Sequence, residues 1–141
     1  WLYYLTPGHL DCQGGYALIL AGRAHLADGD RTGRTLLRRG TVMLRTGAHD
    51  RPLGDSSQRR ALYEGAWLAL AYAARGDLEA ACSEARTAIG RLASVRSPRS
   101  NTLLHQLAAD LRRRTRNPHA ASFLPDLECA LAAQPHAPGI S

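Results

Sequence analysis

The chain has 141 residues, of which 45% are hydrophobic and 6% aromatic, and a net charge of +6. This length fits one domain with a core of its own, and no stretch approaches the ~18 consecutive apolar residues that a membrane span needs. Three dispersed cysteines, Cys12, Cys82 and Cys129, argue against a disulfide framework and point to reduced thiols in a cytoplasm. Much of the apolar content is alanine, the strongest helix former, so composition reads as all-α. All 18 basic residues are arginines, as high-GC codon usage produces, and the basic balance keeps acidic partners in view.

In chain order, WLYYLTPG has neither an initiating Met nor a basic run, so it does not read as a signal peptide. It reads as a cut inside a longer chain. Thr6-Pro7 starts a helix over 8–28, since the cap satisfies an orphan N–H and the proline has none to satisfy. Gly29 ends it, and a second helix over 31–46 ends at Gly47. Residues 47–55, GAHDRPLGD, form the longest break. Asp55 and Gln58 have capping-box spacing before a third helix, 56–75, which Gly76 ends. Asp77 caps a fourth helix, 77–94. Ser97-Pro98 starts a fifth, 98–115, and Asn117-Pro118 a sixth, 118–133, which Pro125 is expected to kink. The domain is read as 1–133, with 134–141 as a flexible tail.

The stretch LALAYAARGDLEAACSEARTAIGRL (68–92) holds the first packing signal. Leu68, Ala69 and Tyr72 share one helix face before the Gly76 break. Ala81, Cys82, Ala85 and Ala88 share a face after it. Small residues at Ala69, Ala81 and Ala88 allow two antiparallel backbones to approach closely, so the stretch is two helices packed as a hairpin. This spacing resembles the tetratricopeptide repeat, a 34-residue helix-turn-helix unit. With Gly76 on its fifteenth position, Leu68, Ala69, Tyr72, Ala81 and Ala88 fall on the characteristic packing positions. Gly65 stands where the family often has Trp, with Trp67 nearby, and no proline ends the second helix. A looser copy aligns Gly29 with Gly76 and puts Ala21-Gly22, His25, Gly33, Leu37 and Gly40 on corresponding positions, given a one-residue deletion. The two glycines lie 47 apart, so the added length is assigned to the 47–55 loop. Residues 98–133 read as a terminal pair covering the last repeat. The resemblance implies a right-handed helical-hairpin solenoid of about six helices.

WLYYLTPGHLDCQGGYAL, RRALYEGAWLALAYAARGDLEAACSEARTAI and VRSPRSNTLLHQLAADLRRR also resemble the carboxy-terminal repeat region of helix-turn-helix transcriptional regulators of high-GC Gram-positive bacteria. That resemblance implies a protein- or peptide-binding module that regulates a DNA-binding domain not present in this chain. An architectural role in dimerisation or scaffolding, with no peptide ligand, is the alternative.

No catalytic constellation is found: there is no nucleophile elbow, no phosphate-binding glycine loop and no His-Glu-x-x-His. No two of the six histidines have helical ligand spacing, and His9 with Cys12 is an isolated pair. No metal, no cofactor and no enzymatic activity are expected. Arg112, Arg113, Arg114 and Arg116 complement the dipole at the end of the fifth helix. Arg59 and Arg60 open the third helix, where the dipole disfavours them, and are candidates for an acidic partner or a salt link to a neighbouring repeat. These runs lack the interleaved aromatics of a nucleic-acid surface, so direct nucleic-acid binding is not expected. Glu79 and Glu84 are expected to face solvent. The resemblance further implies that the first helix of each repeat lines a concave groove. Its inward positions fall on Tyr63, Ala66, Leu70, Ala73 and Ala74 in the clear repeat, and on Tyr16, Ile19, Arg23, Leu26 and Ala27 in the looser one. This predicts an apolar groove with two tyrosines and one arginine. The apolar run Trp1 to Leu5 cannot be a cap in water, and is expected to dock on a missing preceding segment or on a second copy.

Overall fold

The computed structural model describes residues 7–48 and 55–135. They form six helices and, among the described residues, no strand: α1 (Pro7–Ala27), α2 (Thr32–Ala48), α3 (Asp55–Ala74), α4 (Leu78–Arg91), α5 (Pro98–Arg112) and α6 (Pro118–Ala132). Each helix packs on its successor as a hairpin in the pairs α1–α2, α3–α4 and α5–α6. Among these pairs, α3 also meets α1, α2 and α5, and α4 meets α6. Trp1 to Leu5, the Thr6 cap and residues 136–141 lie outside the described residues. Among the described residues no helix is long and apolar enough to cross a membrane.

The helix ends follow local chemistry. Ser97 accepts from the Ser100 amide, and Asn117 from the amides of His119 and Ala120, each ahead of a proline in the first turn. Two turns are built alike. Gly29 and Gly76 have φ of +78° and +85°, a conformation that only glycine adopts cheaply. In the first turn the Gly29 amide donates to Leu26 and the Asp30 amide to His25. In the second, Gly76 donates to Ala73 and Asp77 to Tyr72. This is the paired bonding that closes a helix end through a left-handed residue. The aspartate that follows each glycine then caps the next helix: Asp30 accepts from the Thr32 amide at 2.9 Å, and Asp77 from the Ala80 amide at 3.1 Å.

Two expectations are corrected. Gly47 does not end α2, which continues to Ala48, so part of the added length assigned to the 47–55 loop is helix. Glu84 does not simply face solvent: Arg45 of α2 lies 3.2 Å from its carboxylate and ties the first hairpin to α4. Pro125 sits inside α6, which carries on through it.

The hairpins close on small residues. A Cβ on Gly33 would stand 2.5 Å from the Gly22 carbonyl oxygen, and one on Gly40 would stand 2.9 Å from that of Gly15. The α1 and α2 backbones therefore touch directly. In α3–α4 the same task falls to Ala69, Ala81, Ala85 and Ala88, all fully buried, with Leu68 and Tyr72 buried at the sides. The last hairpin is conventional: α5 packs on α6, with Leu104, Leu107 and Leu111 of the one and Phe123 and Leu127 of the other fully buried. Tyr72 joins two hairpins: its hydroxyl accepts from Arg45 Nε at 2.6 Å, and the Arg45 and Arg75 guanidiniums lie over its ring. The arginines at and after the end of α5 serve neighbouring helices as well as their own. Arg112 pairs with Glu128 of α6, Arg113 with Asp110, and Arg114 Nη1 donates to the Ala73 carbonyl at the end of α3. That last bond gives α3 a cationic cap from another hairpin.

This packing makes two glycine-to-alanine changes diverge. Gly33→Ala must push apart two backbones and is expected to destabilise the chain by about 1–3 kcal/mol despite the better helix propensity. A Cβ on Gly90, exposed in α4, meets nothing, and Gly90→Ala should stabilise by up to about 1 kcal/mol. Urea unfolding of the two variants against the parent measures both signs.

The first turn also carries a pH dependence. The Thr32 amide and hydroxyl, and then His25, hold the Asp30 carboxyl down at about 2, from an ordinary 3.8. A depressed carboxylate contributes stability above its unfolded value and loses it as pH falls through its folded value. The Asp30 side chain, followed by NMR, should titrate near pH 2. A midpoint near 3.8 would mean that the cap does not form in solution.

Candidate interaction surface

The first helices of the three hairpins, α1, α3 and α5, converge on one face. Glu64 is the sole charge in the α3 stretch ALYEGAWLALAYAA (61–74), yet it is only 1% exposed. It accepts from Cys12 Sγ of α1 at 3.2 Å and lies 3.6 Å from Arg60 Nε one turn earlier. A buried carboxylate is stable only when partnered in this way. Beside it, Tyr16 of α1 and Tyr63 of α3 meet edge to face at 5.1 Å. Trp67 closes the cluster, 5.9 Å from the Tyr16 ring and 6.4 Å from the Tyr63 ring. Such aromatic pairs are worth ~0.5–1.5 kcal/mol beyond area burial. From α5, the Arg99 guanidinium lies 4.4 Å over the Tyr63 ring, within cation–π range.

These groups surround a cavity of about 270 Å³ lined by Gln13, Tyr16, Arg59, Arg60, Tyr63 and Arg99, with Ser97. Arg59 and Arg99 are exposed, so the notch presents aromatic walls rimmed by guanidiniums. Such a surface can take an apolar side chain flanked by hydrogen-bond acceptors or a carboxylate.

The structure separates the sequence-predicted groove residues into two groups. Ile19, Ala66, Leu70 and Ala73 are fully buried and form core. Tyr16, Arg23, Leu26 and Tyr63 are partly exposed, as is Ala74, while Ala27 is exposed. The reason is that α1 and α5 meet across α3. Arg23 of α1 donates to Gln106 of α5 at 3.1 Å and to Asp110 at 3.4 Å. Tyr16 and Tyr63 are brought together at the notch, and Arg23 serves as a strut between helices. The repeat-packing set, Leu68, Ala69, Tyr72, Ala81 and Ala88, is buried, and Gly76 forms the turn.

Sequence reasoning passed over Arg99, Glu64 and Trp67 as parts of this surface. Glu64 carried a readable signal, because an isolated acid in an apolar helix must find a partner. Arg99 carried none, since its placement depends on how α5 returns beside α3. A larger cavity of about 540 Å³, lined in part by Pro98, Asn101, His105, Arg112, Glu128 and Leu131, lies at the start of α5 and the end of α6. It is built by the last hairpin and the Arg96–Ser97 segment that leads into it, and it lacks the aromatic cluster, so the three-helix notch is the candidate site. Among the described residues no group of three or more His, Cys, Asp or Glu side chains could hold a metal ion. The His9 side chain lies outside them.

The thiols differ in environment. Cys12 and Cys82 are buried, and burial pushes the Cys82 thiol up despite Arg86 nearby. Cys129 is exposed. A thiolate reagent should therefore titrate one thiol in the native chain and three after unfolding. Rapid reaction of a second thiol in the native chain would contradict the Cys12–Glu64 packing or the burial of Cys82.

No protein-family model, no curated protein and no solved structure matches this chain.

Proposed function

We propose that the chain is a non-enzymatic helical-repeat module that binds a segment of another protein on the face made by α1, α3 and α5. In this reading the three hairpins are a right-handed, tetratricopeptide-like solenoid. The reading is supported by the packing of α3 on α1 and α5, by two glycine–aspartate turns 47 residues apart with the same backbone bonding, and by small residues at the hairpin crossings. The observation that carries the binding role is the notch, where two tyrosines and the Arg59 and Arg99 guanidiniums from two helices face one cavity. A bound segment would place an aliphatic or aromatic side chain against Tyr16 and Tyr63 and an acceptor against the arginines. In the cell the module would act as the regulatory carboxy-terminal part of a cytoplasmic bacterial transcription regulator, its occupancy biasing a DNA-binding domain.

A second reading is an architectural module with no peptide ligand. It is favoured by Leu10 and Leu20 of α1, large apolar side chains that are 55% and 59% exposed.

Peptide display against the whole chain separates the two readings. Selected peptides should lose at least about tenfold in affinity, roughly 1.4 kcal/mol, with Tyr63→Ala and with Arg99→Ala. The remote Arg113→Ala should bind as the parent does. Arg99 is exposed, so its removal tests recognition without disturbing the core. Peptides that bind all three variants equally would place the ligand elsewhere.

A further inference from the structure

Leu10, Gln13, Ala17, Leu20, Ala24 and Ala27 of α1 are all exposed and follow one another at intervals of three and four residues. That alternation is the heptad a/d spacing and draws a narrow stripe along the helix, the pattern of a seam that packs on another helix. The row has five apolar members and no charge, so covering it desolvates no ion. Its span, from residue 10 to 27, is about 26 Å at the rise of an α-helix.

The equivalent row one hairpin later shows what this fold does with such a surface. Aligning Gly29 with Gly76 carries Ala17, Leu20 and Ala24 onto Glu64, Trp67 and Ala71, which are all buried. Cys12 and Tyr16 of α1 contact Glu64 and Trp67 there. In α1 the corresponding row has no helix over it among the described residues. The apolar residues of α1 are not confined to the face that packs on α2 and α3, so an apolar stripe is left on its outer side.

We infer that two copies of this chain associate through their α1 helices, packed antiparallel along this row. The row complements its own reverse. Turning a second α1 about the midpoint between Leu18 and Ile19 sets Leu20 against Ala17, Leu10 against Ala27 and Gln13 against Ala24. Every layer then joins one long side chain to one alanine, so layer volume stays even and the helices can approach closely. Twofold symmetry generates each layer twice, as an isologous interface requires. A helix pair of this length buries on the order of 1,000 Å² in all, the low end of specific interfaces and the size of weak, reversible ones. The row shares only Gln13 with the lining of the tyrosine–arginine notch, whose other α1 residue is Tyr16, and the self-association measured below does not depend on the peptide-binding reading.

Sedimentation equilibrium of the whole chain across micromolar concentrations tests it. The parent should move from 15.3 kDa to twice that mass. Leu20→Arg and Ala17→Arg should each raise the dissociation constant at least tenfold with an unchanged helical spectrum. Val42→Arg, on the exposed α2 position, should leave it unchanged. In a Cys129→Ser background, Ala17→Cys with Leu20→Cys should form a covalent dimer under mild oxidation, and Leu10→Cys alone should not. A chain monomeric throughout, as when the row is reserved for a preceding helix of a longer polypeptide, would overturn the inference. So would a dimer that survives Leu20→Arg, or one that Leu10→Cys alone cross-links, which would indicate parallel pairing.

Discussion

Everything in this fold depends on the enclosure of α3. Residues 66–73 are buried without interruption, and eight consecutive positions on a helix face every direction. α3 can be buried on all sides only because four helices surround it: α1 and α2 before it in the chain, α4 and α5 after it. Its residues are sized for that task. Alanines stand where α4 must come close, and Leu70, Trp67 and Tyr72 fill the wider gaps. Glu64, the one charge in its 61–74 stretch, is held by Cys12 and Arg60. Its carboxyl end is capped by Arg114 from the third hairpin.

The same enclosure decides what kind of surface remains. A wider spacing of the first helices would have left the α3 face open along its length. Here α1 and α5 meet through Arg23, Gln106 and Asp110, and the middle of that face becomes core. The accessible part is the end of the face where Arg59, Arg60, Tyr63 and Arg99 gather around Tyr16. A notch of this kind suits an anchoring side chain with flanking polar contacts better than a long extended ligand. Interface energy commonly concentrates in buried aromatic and arginine anchors of this type.

The helices and turns were legible because their signals are local. Ser97-Pro98, Asn117-Pro118, Gly29 and Gly76 each act within a few residues, and the alanine positions of α3 and α4 can be read from helical periodicity alone. The close crossing of α1 and α2 rests on local signals too: Gly22, Gly33 and Gly40 are where the backbones touch. What could not be read depends on distances between hairpins. Periodicity places Ala66, Leu70 and Ala73 on one face but does not say whether another helix will cover it. Arg45, Arg99 and Arg114 look like solvated charges until Tyr72, Tyr63 and the Ala73 carbonyl arrive beside them. Glu64 lies between the two cases, since its need for a partner was visible and the identity of that partner was not.

If α3 is the element on which the notch and all three hairpins depend, its backbone must open last. Native-state hydrogen exchange measures this directly, because amides in the most enclosed element exchange only through global unfolding. The amides of Ala66 to Ala73 should be the slowest in the chain, with exchange free energies equal to the global stability from urea unfolding. Those of α1, α2 and α6 should open at lower cost. Faster exchange in α3 than in the α1–α2 hairpin would contradict the account, since the three first helices would then not be held together as one surface.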